Sequence, residues 1–461
     1  MTIEYSKRIA DPIHGTVPLT QVEYELIKTR AFLRLRDVKQ LGLAHLVFPG
    51  ADYSRLSHSI GTCHVAGRML VSLVQKGHKI ADDTHQATRI AALLHDLGHY
   101  PFSHAAEDAL VDWQKSKLAK GGIEPKPYSH EELGAKIVDS DPQIVKVLGT
   151  NSVDRELVMA IMKGESDPEF VSHIVSSELD ADRLDYLQRT AANTGLPYGA
   201  PDIDYLVGQL TLDSENKLCV TEKALGAADH FLLCRYFDYR QIVFQNTVVA
   251  FEEVLKDVLA ILLEHGIAPL SRDAVDRSIA DGSWNQIDDS KVIGWIRLMR
   301  EKTRDPEEAQ LLGSILDRQP PKLVWAEEEI DDRKPRRVTQ AKNRMGQVRD
   351  LIPEFARKFS IPEAMWFPWE EARHLTNVAS TVPLEEIDDQ GQVDEAMVKG
   401  IPKSLYILQN GGVRPLQTIE RSFMSALSGK ALYMRRLYVL FPNGDESKRA
   451  AIEIAMSSAL N

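Results

Sequence analysis

The sequence predicts a mainly α-helical fold with small β-hairpins, followed by a smaller α+β unit. Three observations carry that expectation. Apolar residues recur at three- and four-residue spacing in the first part of the chain, as at Ile90, Leu93, Leu94 and Leu97. Gly and Pro punctuate these runs at Gly42, Pro49-Gly50, Gly77 and Gly98. Beyond Gly266 the periodicity breaks against Pro320-Pro321 and Pro335, and the tail alternates strand-like and helix-like segments. The boundary falls near residue 270, giving expected units at 1–270 and 271–461.

Residues 3–20, broken by Asp11-Pro12, His14-Gly15 and Pro18, read as a small β-ribbon, a lid or edge outside the core. From Gln21 one helical face carries Leu26, Ile27, Phe32, Leu33, Leu35, Val38 and Leu41. Arg30, Arg34, Arg36 and Lys39 share that segment and read mostly as a solvated face. After a turn at Phe48-Pro49-Gly50, a helix carrying Val65, Met69, Leu70 and Leu73 begins beside His58 and includes His64 among its packing positions. The next helix ends with His95 and Asp96 in its last turn. From about Ser103 a further helix places Glu107 three residues after His104, on one face.

Residues 115–128 read as a loop, and the pattern Ser129 to Glu132 is a capping box that puts His130 at a helix N-terminus. A helix with Ile174, Val175, Leu179, Leu184 and Leu187 carries three aspartates: Asp180 reads as solvated, Asp185 pairs with Arg189, and Asp182 is left for chemistry. A hairpin around Leu218, Val220 and Thr221 precedes a long helix from about Ala224 to His265. In the second unit the tail reads as strand 404–408, helix 418–427, strand 431–441 and helix 446–460. The basic run Arg333, Lys334, Arg336, Arg337, Lys342, Arg344 and Arg349 reads as a solvated or partner-facing segment.

Composition narrows the classes. The chain has 461 residues, 43% hydrophobic and 26% charged, which suits globular units with sizeable cores. Its formal charge of -12 argues against a surface that coats nucleic acid. Cys63, Cys219 and Cys234 are scattered, so neither a disulfide framework nor a thiolate zinc site is indicated. No leader pattern opens the chain and no apolar run reaches bilayer length, so the expectation is a cytoplasmic protein without a membrane partner.

The chemistry concentrates in His95-Asp96-Leu97-Gly98-His99-Tyr100-Pro101-Phe102-Ser103-His104. A carboxylate buried beside an imidazole is costly unless compensated, and a cation is the most economical compensation. Taken singly, His58 could be a capping residue and the His95-Asp96 pair an ordinary hydrogen-bonded core feature. Together, His58, His95, Asp96 and Asp182 offer two imidazoles and two carboxylates from three helices. That mixed set suits a divalent transition metal with open positions better than calcium or a closed structural zinc.

The spacing His...His-Asp...Asp resembles the HD-domain phosphohydrolases. Asp11-Pro12-Ile13-His14-Gly15, Arg34-Leu35-Arg36, Lys39 to Gly42, Phe48 to Ala51, Arg55 to Gly61 and His95 to His104 resemble the deoxynucleoside triphosphate triphosphohydrolase branch that includes the sterile-alpha-motif HD protein. The likeness covers about residues 7–250, and no sterile alpha motif is read ahead of it. It implies a helical HD core with His58, His95, Asp96 and Asp182 as ligands of one divalent metal ion: Mn, Fe, Ni, Co, Zn or Mg. It implies His99, His104 and His130 as inner histidines, with His104 protonating the leaving oxygen and Glu107 orienting it. Arg55, Arg183 and Arg235 match phosphate-holding cations, Arg183 standing where a lysine is usual. Tyr186 matches too, and Gln40 and Leu41 match residues that contact the sugar.

This chain has Thr190 where the family places a sugar-binding aspartate and Val243 where it places a tyrosine. Around the family's regulatory nucleotide site, Lys28, Thr221 and Asn246 differ while Lys7, Arg36 and Lys223 remain. The implied activity is hydrolysis of a deoxynucleoside triphosphate to deoxynucleoside and triphosphate by a homo-oligomer. The alternatives are a nucleotidase, phosphodiesterase or nuclease using the same cage, and a metal-dependent sensor of an anionic ligand without turnover.

Overall fold

A computed structural model describes residues 4–332, 335–374, 404–409, 412–427 and 430–460. Helices dominate these residues, with three small sheets. Strands β1 (Lys7–Asp11) and β2 (Gly15–Leu19) pair antiparallel from Lys7↔Leu19 to Asp11↔Gly15. Asp11 closes the turn by accepting the amides of Ile13 and His14. The ribbon is more than the expected edge: Val17 and Leu19 are fully buried, and Asp11 and His14 reach inward to Arg189 and Asp185.

The apolar face after Gln21 is divided, because Thr20 and Thr29 each cap a new helix, Gln21–Leu26 and Arg30–Arg34. Arg34 is not on a solvated face. It is 3% exposed, and its guanidinium donates to the carbonyls of Ile287 at 2.6 Å and His99 at 2.7 Å. Arg36 does stay exposed, paired with Asp37.

The central packing joins α1 (Arg55–Gln75), capped by Ser54, with α2 (Asp82–Leu94) and α5 (Ala181–Thr194). Between them in sequence lie α3 (His104–Ala119) and α4 (His130–Ser140). Helix α3 runs to Ala119, into the expected loop, and ends where Gly121 takes a positive φ. The capping box at Ser129 and Glu132 forms as expected.

Two expected helices are each split. Residues 174–187 divide into Phe170–Val175 and α5, because Asp180 turns away and caps α5 by accepting the Arg183 amide at 2.7 Å. Asp180 is therefore buried, against the solvated position expected for it. Residues 224–265 divide into α6 (Leu225–Asp238), a π-helical turn at Tyr239–Val243, and α7 (Asn246–Glu264), which Gln245 caps. Helix α8 (Asp289–Lys302) follows and returns to the core through its buried first residue.

Strands β3 (Leu210–Leu212) and β4 (Leu218–Thr221) form the expected hairpin. It is extended by β7 (Tyr406–Gln409), parallel to β4 with Val220 beside Ile407, and by β8 (Gly412–Pro415). A second sheet has the order β5 (Lys322–Asp332), β9 (Lys430–Val439), β6 (Trp366–His374), all antiparallel. Helix α9 (Arg449–Leu460) lies on β5. The helix expected at 418–427 shortens to Phe423–Ala426. In the basic run, Arg344 pairs with Glu327 and Arg349 with Glu370, while Arg333 and Lys334 lie outside the described residues. Among the described residues no helix is long and apolar enough to cross a membrane.

Candidate metal centre and substrate cavity

The centre is assembled at the start of α1. Gly61 has no Cβ; one there would lie 1.9 Å from Asp185 Oδ1, so only glycine lets that carboxylate rest on the helix. Asp185 Oδ2 accepts from His58 Nδ1 at 2.7 Å, while its other contacts are Arg189 and His14 Nε2. Although burial opposes it, hydrogen bonds from Arg189, His14 and His58 hold the Asp185 carboxyl far below the usual range. The ionised Asp185 fixes the proton of His58 on Nδ1 and leaves Nε2 free to turn inward. His58 Nε2 lies 3.0 Å from Asp182 Oδ1 and 3.7 Å from Asp96 Oδ2.

At the end of α2, His95 Nδ1 donates to the carbonyl of Ala92 at 2.8 Å. A carbonyl can only accept, so Nε2 of the neutral ring carries the lone pair. That atom is buried without a hydrogen-bond partner, 3.2 Å from Asp96 Oδ1 and 3.9 Å from Asp182 Oδ1. Donor atoms of His58, His95 and Asp96 lie within 4.8 Å of one another. Asp182 joins them from the first turn of α5. Two imidazole lone pairs thus face two carboxylates with nothing between them to share, an arrangement that only a cation or a proton relieves. Against burial, contacts with Asp182 and Asp185 push His58 up to about 10, the same demand for positive charge. The donor set fits a divalent transition metal of mixed N/O preference.

Beside it stand His99, His104 and His130. His99 Nε2 is 3.1 Å from Asp96 Oδ1, and burial, with Arg55 and His130, pushes its imidazole well below the ordinary range. His99 stacks on His130 with centroids 4.1 Å apart and planes 15° apart, and His104 meets both edge-on. The orienting carboxylate is not where it was expected. Glu107 Oε2 lies 2.8 Å from His130 Nδ1 but 4.0 Å from His104 Nδ1. Glu107 Oε1 also accepts the His130 amide, and this carboxylate at the N-terminus of α4 outcompetes the i,i+3 contact. Donor atoms of these four residues also lie within 4.8 Å of one another. The nearly parallel planes of His99 and His130, however, meet far from either ring, so one ion cannot lie in both. This group suits proton handling.

A cavity of about 420 Å³ opens onto the centre. Of the residues expected at the site, Gln40, Leu41, Arg55, His95, Asp96, His99, His104, His130, Asp182, Arg183 and Tyr186 line it. His58, Glu107 and Arg235 do not. Arg235 is fully buried and committed to Glu178, so it backs the wall. Arg55 donates to Asp96 at 2.7 Å and to Ser103 at 2.8 Å, and Arg183 pairs with Asp180. Thr190 is buried with its hydroxyl on Tyr53. Asp185 was legible only as an Arg189 partner; nothing in its spacing signals His58, which is 127 residues away.

A second cavity, about 460 Å³, shares Gln40, Leu41, His104, Tyr239 and Val243 with the first. Its walls carry Asp108, Glu252 and Glu253 beside Lys256, with Glu371 and Arg373 contributed by β6. Burial, aided by Glu253 and Asp108 against Lys256, pushes the Glu252 carboxyl up to about 8. The folded chain therefore keeps a proton that the unfolded chain releases near 4.5, and this contribution, full below that pH, is lost as pH rises through 8. Glu252→Gln is expected to flatten the stability profile over that window, by at most about 1.4 kcal/mol per pH unit. Urea unfolding at a series of pH values measures the slope.

The fold and this site define a class: residues 55–190 match the HD domain family, so the chain carries an HD domain. It is 34% identical over 257 residues to the uncharacterized protein YwfO of Bacillus subtilis, covering 55% of each chain. It is 35% identical over 201 residues to the deoxynucleoside triphosphate triphosphohydrolase SAMHD1 homolog of Dictyostelium discoideum, covering 41% of this chain and 37% of that one. The chain thus spans about half, or less, of the length of the curated relatives it matches. In fold it is similar to a phosphohydrolase from Bacteroides thetaiotaomicron, with TM-score 0.68 at 22% identity over 93% of this chain and 99% of that one.

Proposed function

We propose that this protein is a metal-dependent phosphohydrolase acting on phosphate esters, and that its substrate is a deoxynucleoside triphosphate, cleaved to deoxynucleoside and triphosphate. The observation that carries the reading is the unpartnered His95 Nε2 clustered with His58 and Asp96 and 3.9 Å from Asp182 Oδ1. The SAMHD1-like relatives support the substrate. His58, His95, Asp96 and Asp182 would hold one divalent ion, which when bound activates water and offsets phosphate charge.

The remaining steps belong to the side chains. Arg183 and Arg55 line the cavity as cations for the phosphate chain, Arg55 also holding Asp96 in place. His104, whose side chain is two-thirds exposed, faces the incoming ester and donates the proton that the departing 5′ oxygen needs. His130, held by Glu107 and edge-on to His104, keeps the His104 ring in position. His99 stays neutral and rigid between Asp96 and His130.

The test is to load the full chain with each divalent metal, supply the four deoxynucleotides and separate the products. Triphosphate plus nucleoside supports the reaction; orthophosphate or pyrophosphate without triphosphate sinks it while sparing the class. A second reading, the same cage acting on another phosphate ester, is favoured by Thr190, whose hydroxyl is already engaged by Tyr53. Homo-oligomeric assembly in the cytoplasm belongs to the same proposal, and light scattering with and without nucleotide measures the assembly.

A further inference from the structure

Asp238 closes α6 and lines the first cavity while only 5% exposed. Among the described residues its carboxylate accepts no hydrogen bond and makes no ion pair. The cation one turn earlier, Arg235, is committed to Glu178. Burial outweighs the nearby Arg235 charge and pushes the Asp238 carboxyl up to about 7. A second unspent acceptor lies on the same cavity wall: Gln40 Oε1 is buried without a partner. Two such acceptors cost stability unless a ligand supplies donors.

The direction of that ligand follows from charge. A carboxylate repels phosphate, which the Arg55 and Arg183 side of the cavity attracts. Asp238 adjoins Tyr239, and Gln40, Leu41, Tyr239 and Val243 mark the junction with the second cavity. Apolar and aromatic surface around lone acceptors is a lining for a neutral organic group rather than for an anion.

We propose that Asp238, with Gln40 Oε1, reads an uncharged hydrogen-bond donor on the organic part of the phosphate ester and sets specificity for it. This rests on the phosphate-ester reading above. The donor is either a sugar hydroxyl or an exocyclic amino group of a base, and the two sources are separable by experiment.

Calorimetric binding to the metal-loaded full chain carrying His104→Ala, which slows turnover, provides the measurement. One arm compares thymidine triphosphate with its 3′-deoxy analogue; the other compares deoxyadenosine triphosphate with the purine analogue lacking the amino group. With Asp238 intact, one arm is expected to show a preference on the order of tenfold or more for the donor-bearing ligand. Asp238→Leu should reduce that preference to within about twofold and raise the melting temperature, because an unpaired buried carboxyl has been removed. Asp238→Ala, which also removes both accepting oxygens, repeats the comparison where the leucine variant does not fold. No preference in either arm, or one that survives replacement of Asp238, overturns the inference. An intact preference with no hydrolysis by the unaltered chain would instead count against the proposed reaction alone, and failure of all four nucleotides to bind would remove both.

Discussion

Asp182→Ala is expected to reduce bound divalent metal from one equivalent to near zero and to lower phosphate-ester hydrolysis by about a thousandfold or more, roughly 4 kcal/mol of barrier. Asp182 is the sharpest choice among the four proposed ligands because little else depends on it. Asp96 also anchors Arg55, so replacing it would leave a buried cation without its carboxylate, and His58 is tied into the Asp185 hydrogen-bond cluster, so replacing it would disturb that cluster as well. Asp182, by contrast, has a side chain one-third exposed and faces His58 and His95 from the first turn of α5. Its carboxyl is held below the usual range, against burial, chiefly by the His58 contact. Elemental analysis beside a thermal melt makes the distinction. A variant that folds yet retains full metal and turnover would remove the basis for the proposed centre.

The second large effect is expected at Asp289, outside the HD match and 187 residues from the turn it supports. Phe102 and Ser103 both have φ of 60°, and Ser103 combines this with ψ of -131°, a region that residues with a Cβ seldom occupy. The turn delivers His104 to the cavity. Asp289 Oδ1 accepts the Phe102 amide at 2.8 Å and Oδ2 the Lys39 amide at 2.9 Å. The Ser103 hydroxyl closes the frame on the carbonyl of Lys39. Asp289→Ala strands two amides beside a strained turn, a loss of about 3 kcal/mol in stability. Displacement of His104 should lower kcat about a hundredfold with KM little changed. Asp289→Asn, which keeps one accepting oxygen, should recover part of both. If the alanine variant were unstable yet as active per folded molecule as the parent, Asp289 would be a structural residue only.

The outline of the helical core was legible because burial imposes its period on the sequence, as in α1 and α2. The capping box at Ser129 marked a start that the structure reproduces, while the one at Thr20 went unread. The splits at Asp180 and at Tyr239–Val243 were not legible, since apolar spacing continues across both and only tertiary contacts decide where the chain turns. The gathering of His58, His95, Asp96 and Asp182 followed from chemical type and resemblance, and the geometry brings these residues together. Glu107 went to His130 because an i,i+3 pattern cannot reveal a competing amide 23 residues away. Asp238 and Asp289 carried no signal at all: a lone carboxylate in a helix looks the same whether it meets water or a cavity.

The hydrogen bonds between β4 and β7 impose an order on events during synthesis. Thr221 emerges from the ribosome long before Leu408, the residue it will pair with. Until then the hairpin beside the forming core presents an open edge of backbone donors and acceptors, able to recruit another nascent chain. That edge stays open to pairing until synthesis has passed Leu408.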